Sequence, residues 1–157
     1  MQLKFYAILE ATGELTIPGE GMGGSWIVKL PSSCFPSVPE NEYTMLALAR
    51  AVGIELPETE LLDTGSIQGL PTDAGALEGK TLAVRRFDRA ERGEGIHMED
   101  FAQVFGLYAR DRYRHRSYAN IAAVLWAETG EASAYEFFKR IVFSVPIGNG
   151  DMHLKNW

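Results

Sequence analysis

The chain has 157 residues, of which 46% are apolar and 23% charged, with a net charge of −6 and a pI near 5.1. That is one domain's worth of chain, or one lobe and part of another, and it permits a sizeable core. The acidic balance argues against non-specific nucleic-acid binding. The single cysteine, Cys34, excludes an intrachain disulfide framework and fits a reducing compartment. No apolar run approaches the roughly 20 residues of a bilayer span, and the N-terminus lacks the order of a signal peptide. The expectation is a cytoplasmic protein with no membrane partner.

The first third reads as strands. Leu3, Phe5, Ala7 and Leu9 alternate with Lys4, Tyr6, Ile8 and Glu10, a period of two. Thr12-Gly13 turns the chain toward a short strand at 14–17, and Ser25–Leu30 forms the next strand, stopped by Pro31. Three such strands predict an antiparallel meander. After a Pro/Ser loop, a helix is predicted over about 40–52, ended by Gly53. Strands over 56–63 and 80–86 follow, with a glycine-rich loop between them. A polar connector over 88–95 then leads to a helical pattern: 99–107, a helix marked by Tyr118, Ile121, Ala122 and Leu125, and a third marked by Tyr135, Phe138, Val142 and Val145. The last four share a helical face and are expected to be buried. Strands followed by helices predict an α+β fold, divided into residues 1–90 and 91–157.

Four features could carry chemistry. Lys29 is the only basic residue in the strand Trp26-Ile27-Val28-Lys29-Leu30. It either snorkels to solvent or aims its ammonium at an anion. Glu42 stands at one end of a helical stripe with Met45, Leu46, Ala49 and Val52. It either complements the helix dipole or pairs with the strand lysine, and Glu40 is the alternative for that role. The strand that ends in Arg85-Arg86-Phe87-Asp88 could offer backbone groups to an adenine, although Arg86 and Asp88 also read as surface charges. Last, Asp151 precedes Asn156 by five positions in a loop flanked by Gly148 and Gly150. A protein-kinase catalytic loop uses that spacing, its Asp orienting the attacking hydroxyl and its Asn holding magnesium. His153 could be a surface residue, a metal ligand or a phosphate contact. Lys155 could screen charge on a transferring phosphoryl group.

Two other motifs are set aside. Gly19–Gly24 ends five residues before Lys29 and precedes no helix, so it reads as a hairpin connection and not as a phosphate loop. The basic run Arg110–Arg116 is interrupted by Asp111 and reads as an interhelical loop or a docking patch.

In this order the motifs resemble the HipA-type serine/threonine kinases, the toxins of type II toxin–antitoxin pairs. Trp26–Pro31 is similar to the family's nucleotide-lysine strand, and Glu40-Asn41-Glu42 with Leu46, Ala47 and Ala49 to its regulatory helix. Val84-x-Arg86-Phe87-Asp88-Arg89 resembles the hinge, and His97-x-Glu99-Asp100-Phe101 the opening of the helical lobe. Gly148-Asn149-x-Asp151-x-His153-x-Lys155-Asn156 resembles the catalytic loop. The resemblance implies a two-lobe, protein-kinase-like fold that uses ATP and Mg2+ to phosphorylate a protein serine or threonine. Lys29, with Glu42, would bind the ATP phosphates. Arg85 and Phe87 would lend hinge backbone groups. Asp151 would be the catalytic base, with His153 as a second catalytic residue, and Asn156 would bind magnesium. The implied partners are a protein substrate and a helix-turn-helix antitoxin, with DNA reached only through the antitoxin. The family's glycine loop before Gln2 and its second magnesium-binding aspartate have no counterpart here. That implies a chain truncated at both ends, with little or no catalysis of its own. A small-molecule phosphotransferase of the aminoglycoside type and a non-catalytic antitoxin-binding module are the alternative expectations.

Overall fold

A computed structural model describes residues 2–19, 23–32, 34–71, 78–90, 94–108, 110 and 116–157. Parts of the Gly19–Gly24 connection, of the glycine-rich loop before residue 80, of the 88–95 connector and of the basic run at 110–116 lie outside the described residues. The chain forms two compact units, Met1–Ile96 and His97–Trp157.

The first unit is a five-stranded antiparallel sheet with one packed helix. Its strands are β1 (Lys4–Leu9), β2 (Leu15–Thr16), β3 (Trp26–Lys29), β4 (Thr59–Asp63) and β5 (Lys80–Arg85), in the order β2-β1-β3-β5-β4. The central strand is β3, and its register with β5 pairs Trp26 with Arg85 and Lys29 with Leu82. Strand residues alternate between the faces. One face carries Ala7, Trp26, Val28 and Ala83, buried together with Leu15 and Ile67. The segment at 67–70 runs parallel to β2, with backbone bonds from Ile17 N–H to Gln68 O and from Gln68 N–H to Leu15 O, and packs Ile67 and Leu70 against this core. At Gly69 (φ +73°), a Cβ would stand 2.6 Å from the Ile17 oxygen, so only glycine fits. A Cβ at Gly24 would likewise collide with the Ala7 carbonyl.

The helix α1 (Val38–Ala51) packs on β4 and β5. Pro39 sits in its first turn, where the missing N–H costs nothing. Met45, Leu46 and Ala49 turn away from solvent as their spacing predicts, whereas Val52, just past the last turn, is exposed.

In the second unit, α2 (Phe101–Val104), α3 (Tyr118–Thr129) and α4 (Glu131–Ser144) precede a 3-10 turn at Leu154–Asn156. Capping contacts start α2 and α3. Asp100 and Gln103 exchange bonds with each other's backbone N–H, and at α3 the Ser117 N–H donates to Asn120 Oδ1 at 2.9 Å. Ala102, Ile121, Phe137 and Leu154 form the core, with Phe105, Leu125, Ile141 and Trp157 against them.

One expectation fails on α4. Tyr135, Phe138, Val142 and Val145 are exposed, at 53–69% of their surface. The inward stripe is Ala134, Phe137 and Ser144, with Ile141 partly buried, one residue earlier at each step. Both stripes have helical spacing, about 100° apart, and α4 can turn only one of them to the core. The Phe137 ring, packed edge-on against Trp157 at 4.8 Å, marks the face that faces inward.

Candidate functional site

In the sheet unit, β3 ends on Lys29 and α1 begins close to Glu42, and the two side chains form an ion pair. The lysine is 20% exposed and the glutamate 33%, so the pair is neither a surface contact nor fully desolvated. The carboxylate therefore fixes the ammonium in place while leaving one side of it accessible. Glu40, on the same turn, accepts a bond from Thr44 Oγ1 through its carbonyl and has no such link to the sheet. By register, Lys29 shares a sheet face with Ile27, Leu82 and Val84.

The far end of β5 is organised differently. The Arg85 N–H donates to the Glu58 carbonyl at 2.9 Å, so a hinge role would fall on its own carbonyl oxygen. Phe87 is 68% exposed. Between them, Arg86 is nearly buried and is held on all sides. It donates twice to the Asp88 carboxylate, at 2.8 and 2.6 Å, and its guanidinium lies 4.5 Å above the Tyr6 ring. Arg89 adds bonds of 2.7 Å to the Asp88 carbonyl and 2.9 Å to its carboxylate. The hydrogen bonds from Arg86 hold the Asp88 carboxyl below the usual carboxylate range, against the opposing effect of burial. Asp88 in turn raises the pKa of Arg86. On sequence both residues also read as surface charges; in the structure they hold each other at the end of β5. A cavity of about 230 Å3 opens beside them, lined by Leu9, Ser25, Trp26, Glu58, Arg85 and Arg89 among others.

In the helical unit, the segment from Gly148 to Trp157 is a tight loop. Gly148 has φ +67°, a conformation that other residues adopt only with strain. The Asn149 side chain accepts from Asp151 N–H at 3.1 Å. The Asn156 amide nitrogen donates to the Asp151 carbonyl at 2.6 Å, closing the interval between the two. That bond assigns the amide: nitrogen faces Asp151, so the oxygen is the atom that can face a cation. The Asp151 carboxylate is 69% exposed, and His153 Nε2 lies 3.3 Å from its Oδ1. The His153 side chain is only 11% exposed.

Three further residues, with no local sequence signal for it, hold the loop. Lys155 binds Asp100 Oδ2 at 2.6 Å, which ties the loop to the start of α2. Burial opposes ionisation of Asp100, but the bonds from Lys155 and from Gln103 N–H outweigh it and lower its pKa. Tyr118 OH donates to the Met152 carbonyl at 3.1 Å. Trp157 packs edge-on against both Phe137 and Tyr118, and its carbonyl accepts from Phe101 N–H. Asp100-x-x-Gln103 is a capping-box pattern, so the helix start at Asp100 was readable; its partner at Lys155 was not.

An antiparallel sheet with a lysine–glutamate pair to one helix, followed by helices and an Asp/Asn loop, defines a kinase-like α+β protein. The family model described as HipA-like C-terminal domain matches residues 1–157, and the chain belongs to that family. It is 52% identical over 159 residues to a protein of Sinorhizobium fredii (strain NBRC 101917 / NGR234) named "Putative kinase Y4dM", with 100% of this chain and 39% of that protein covered. It is also 28% identical to a "Putative kinase" of Haemophilus influenzae, over 85% of this chain and 39% of that one. A chain of the Shewanella oneidensis MR-1 complex of HipA, HipB and operator DNA superposes with a TM-score of 0.74 at 20% identity, over 99% of this chain and 38% of that chain. The chain thus spans about two fifths of the length of these relatives.

Proposed function

We propose that these residues belong to an ATP-dependent serine/threonine protein kinase that acts as the toxin of a toxin–antitoxin pair. The observation that carries the reading is the Asp151–Asn156 loop, with the Lys29–Glu42 pair in the other unit as its support. Lys29, fixed by Glu42, would bind the nucleotide phosphates. The Arg85 carbonyl and the Phe87 backbone would meet the adenine. Asp151, with His153 at its side, would orient the substrate hydroxyl and accept its proton. Asn156 would hold magnesium through its amide oxygen. A bound magnesium ion neutralises phosphate charge and leaves the chain's own residues to position the groups. The Asn156 amide oxygen is a hard donor of the kind this ion takes, since magnesium commonly uses one or two protein oxygens beside phosphates and water.

The partners are proposed on the same footing: a protein hydroxyl as substrate and a helix-turn-helix antitoxin, through which DNA would be met. The antitoxin is suggested by the HipB and operator DNA of the similar Shewanella oneidensis complex. No described helix is long and apolar enough to cross a membrane.

Calorimetry with Mg-ATP and a radiolabelled transfer assay test the proposal in the full-length gene product. Lys29→Ala should weaken nucleotide binding about tenfold or more. Asp151→Asn should leave binding near wild type and lower transfer by several orders of magnitude. Residues 1–157 alone should transfer little, because a kinase site uses a second magnesium-binding side chain besides the asparagine. Robust autophosphorylation of that piece would refute the last expectation. Equal transfer by wild type and Asp151→Asn would refute the function.

A further inference from the structure

We propose that His153 is a positioning residue for Asp151 and Asn156 and does not itself exchange a proton with the substrate; this rests on the kinase reading above. The ring's two nitrogens make different contacts. Nδ1 accepts the Lys155 backbone N–H at 3.2 Å, as the cap of the 3-10 turn Leu154–Asn156. A nitrogen that accepts carries no proton, so in the neutral ring the proton sits on Nε2. Nε2 is the atom 3.3 Å from Asp151 Oδ1. One nearly buried imidazole thus holds the turn that carries Asn156 by one edge and presents a donor to the carboxylate by the other. A second tie runs in parallel, from the Asn156 amide to the Asp151 carbonyl. Together they link the Asp151 carboxylate, the Asp151 backbone and the Asn156 amide within one loop. A carboxylate so held needs no reorganisation when it meets the hydroxyl, which is where positioning lowers a barrier.

The two edges can be separated by substitution in the full-length gene product. Asparagine reproduces the acceptor at Nδ1, glutamine the donor at Nε2. His153→Asn should keep the turn, and with it the KM for Mg-ATP, while lowering kcat about ten- to a hundredfold, the usual range for an outer partner of a functional ligand. His153→Gln should recover part of kcat but raise the KM for Mg-ATP, because the cap is lost. His153→Ala should show both defects. The nitrogen-15 spectrum of the neutral ring should show Nε2 protonated and Nδ1 bare. A wild-type kcat for His153→Asn, or a ring protonated on Nδ1, would overturn the inference. The tautomer is read without activity, so a chain that shows Nε2–H but transfers no phosphate would refute the kinase reading and leave the geometry standing.

Discussion

Asp88 accepts hydrogen bonds from two arginines, and one of them, Arg86, is itself nearly buried beneath Tyr6. Neutralising that carboxylate would leave a guanidinium inside the protein with its best partner gone. Such a loss costs about 1–3 kcal/mol, more than an exposed ion pair would. The pH dependence has a definite sign. The folded-state pKa of Asp88 lies below its ordinary value, so its contribution is complete above the ordinary carboxylate pKa of about 3.9 and is lost as pH falls through the lower, folded one. Asp88→Asn should therefore lower the urea midpoint at pH 7 and flatten its fall below pH 4. It should not abolish that fall, because Asp100 in the helical unit is shifted in the same direction by its hydrogen bonds. A midpoint for Asp88→Asn that tracks wild type across the whole range would show that Arg86 is indifferent to its partner.

At the scale of elements, α2 is the informative case. Four residues cannot hold a helix by themselves, since nucleation costs more than one turn returns. What fixes α2 is the reciprocal cap of Asp100 and Gln103, the burial of Ala102, and Lys155 reaching Asp100. Asp100→Ala removes the cap, worth about 1 kcal/mol, and the ion pair with it. Lys155→Met removes only a partly exposed pair, worth about 0–1 kcal/mol. Hydrogen exchange at the α2 amides should accelerate more in Asp100→Ala than in Lys155→Met, and equal effects would mean that the cap contributes nothing. The same helix shows what was readable beforehand. Strands, helix order and the Asp151–Asn156 loop follow from local signals: alternation, glycine positions and a fixed spacing. The links between Lys155 and Asp100 and between Tyr118 and Met152 span 55 and 34 positions and have no local signature. Nor could periodicity choose between the two apolar stripes of α4, because both satisfy it and only packing selects one. Arg86 was obscured for a related reason: a charged residue at a strand end reads as solvated until its neighbours are known.

At the scale of the whole molecule, the unused stripe of α4 sets how this chain behaves in solution. Tyr135, Phe138, Val142 and Val145 present aromatic and branched apolar surface along three turns of one helix, each more than half exposed. Glu136 reaches Lys139 and Arg140 on the same helix, so a charged band runs along it as well. Contiguous exposed apolar patches beyond a few hundred Å2 are uncommon on monomeric proteins and promote association. A net charge of −6 opposes association only weakly once salt screens it within about 10 Å. Residues 1–157 should therefore sediment faster as concentration rises and should bind the apolar dye ANS. Phe138→Lys with Val142→Lys should suppress both while changing the unfolding free energy by no more than about 0.5–1 kcal/mol, since neither side chain is in the core and lysine favours helix more than phenylalanine or valine does. A wild-type chain that stays monomeric to several hundred micromolar and leaves the dye dark would show that the patch is too narrow to act. If the double variant instead unfolds, the stripe must lie against something, and the inward orientation assigned to Phe137 would have to be reversed.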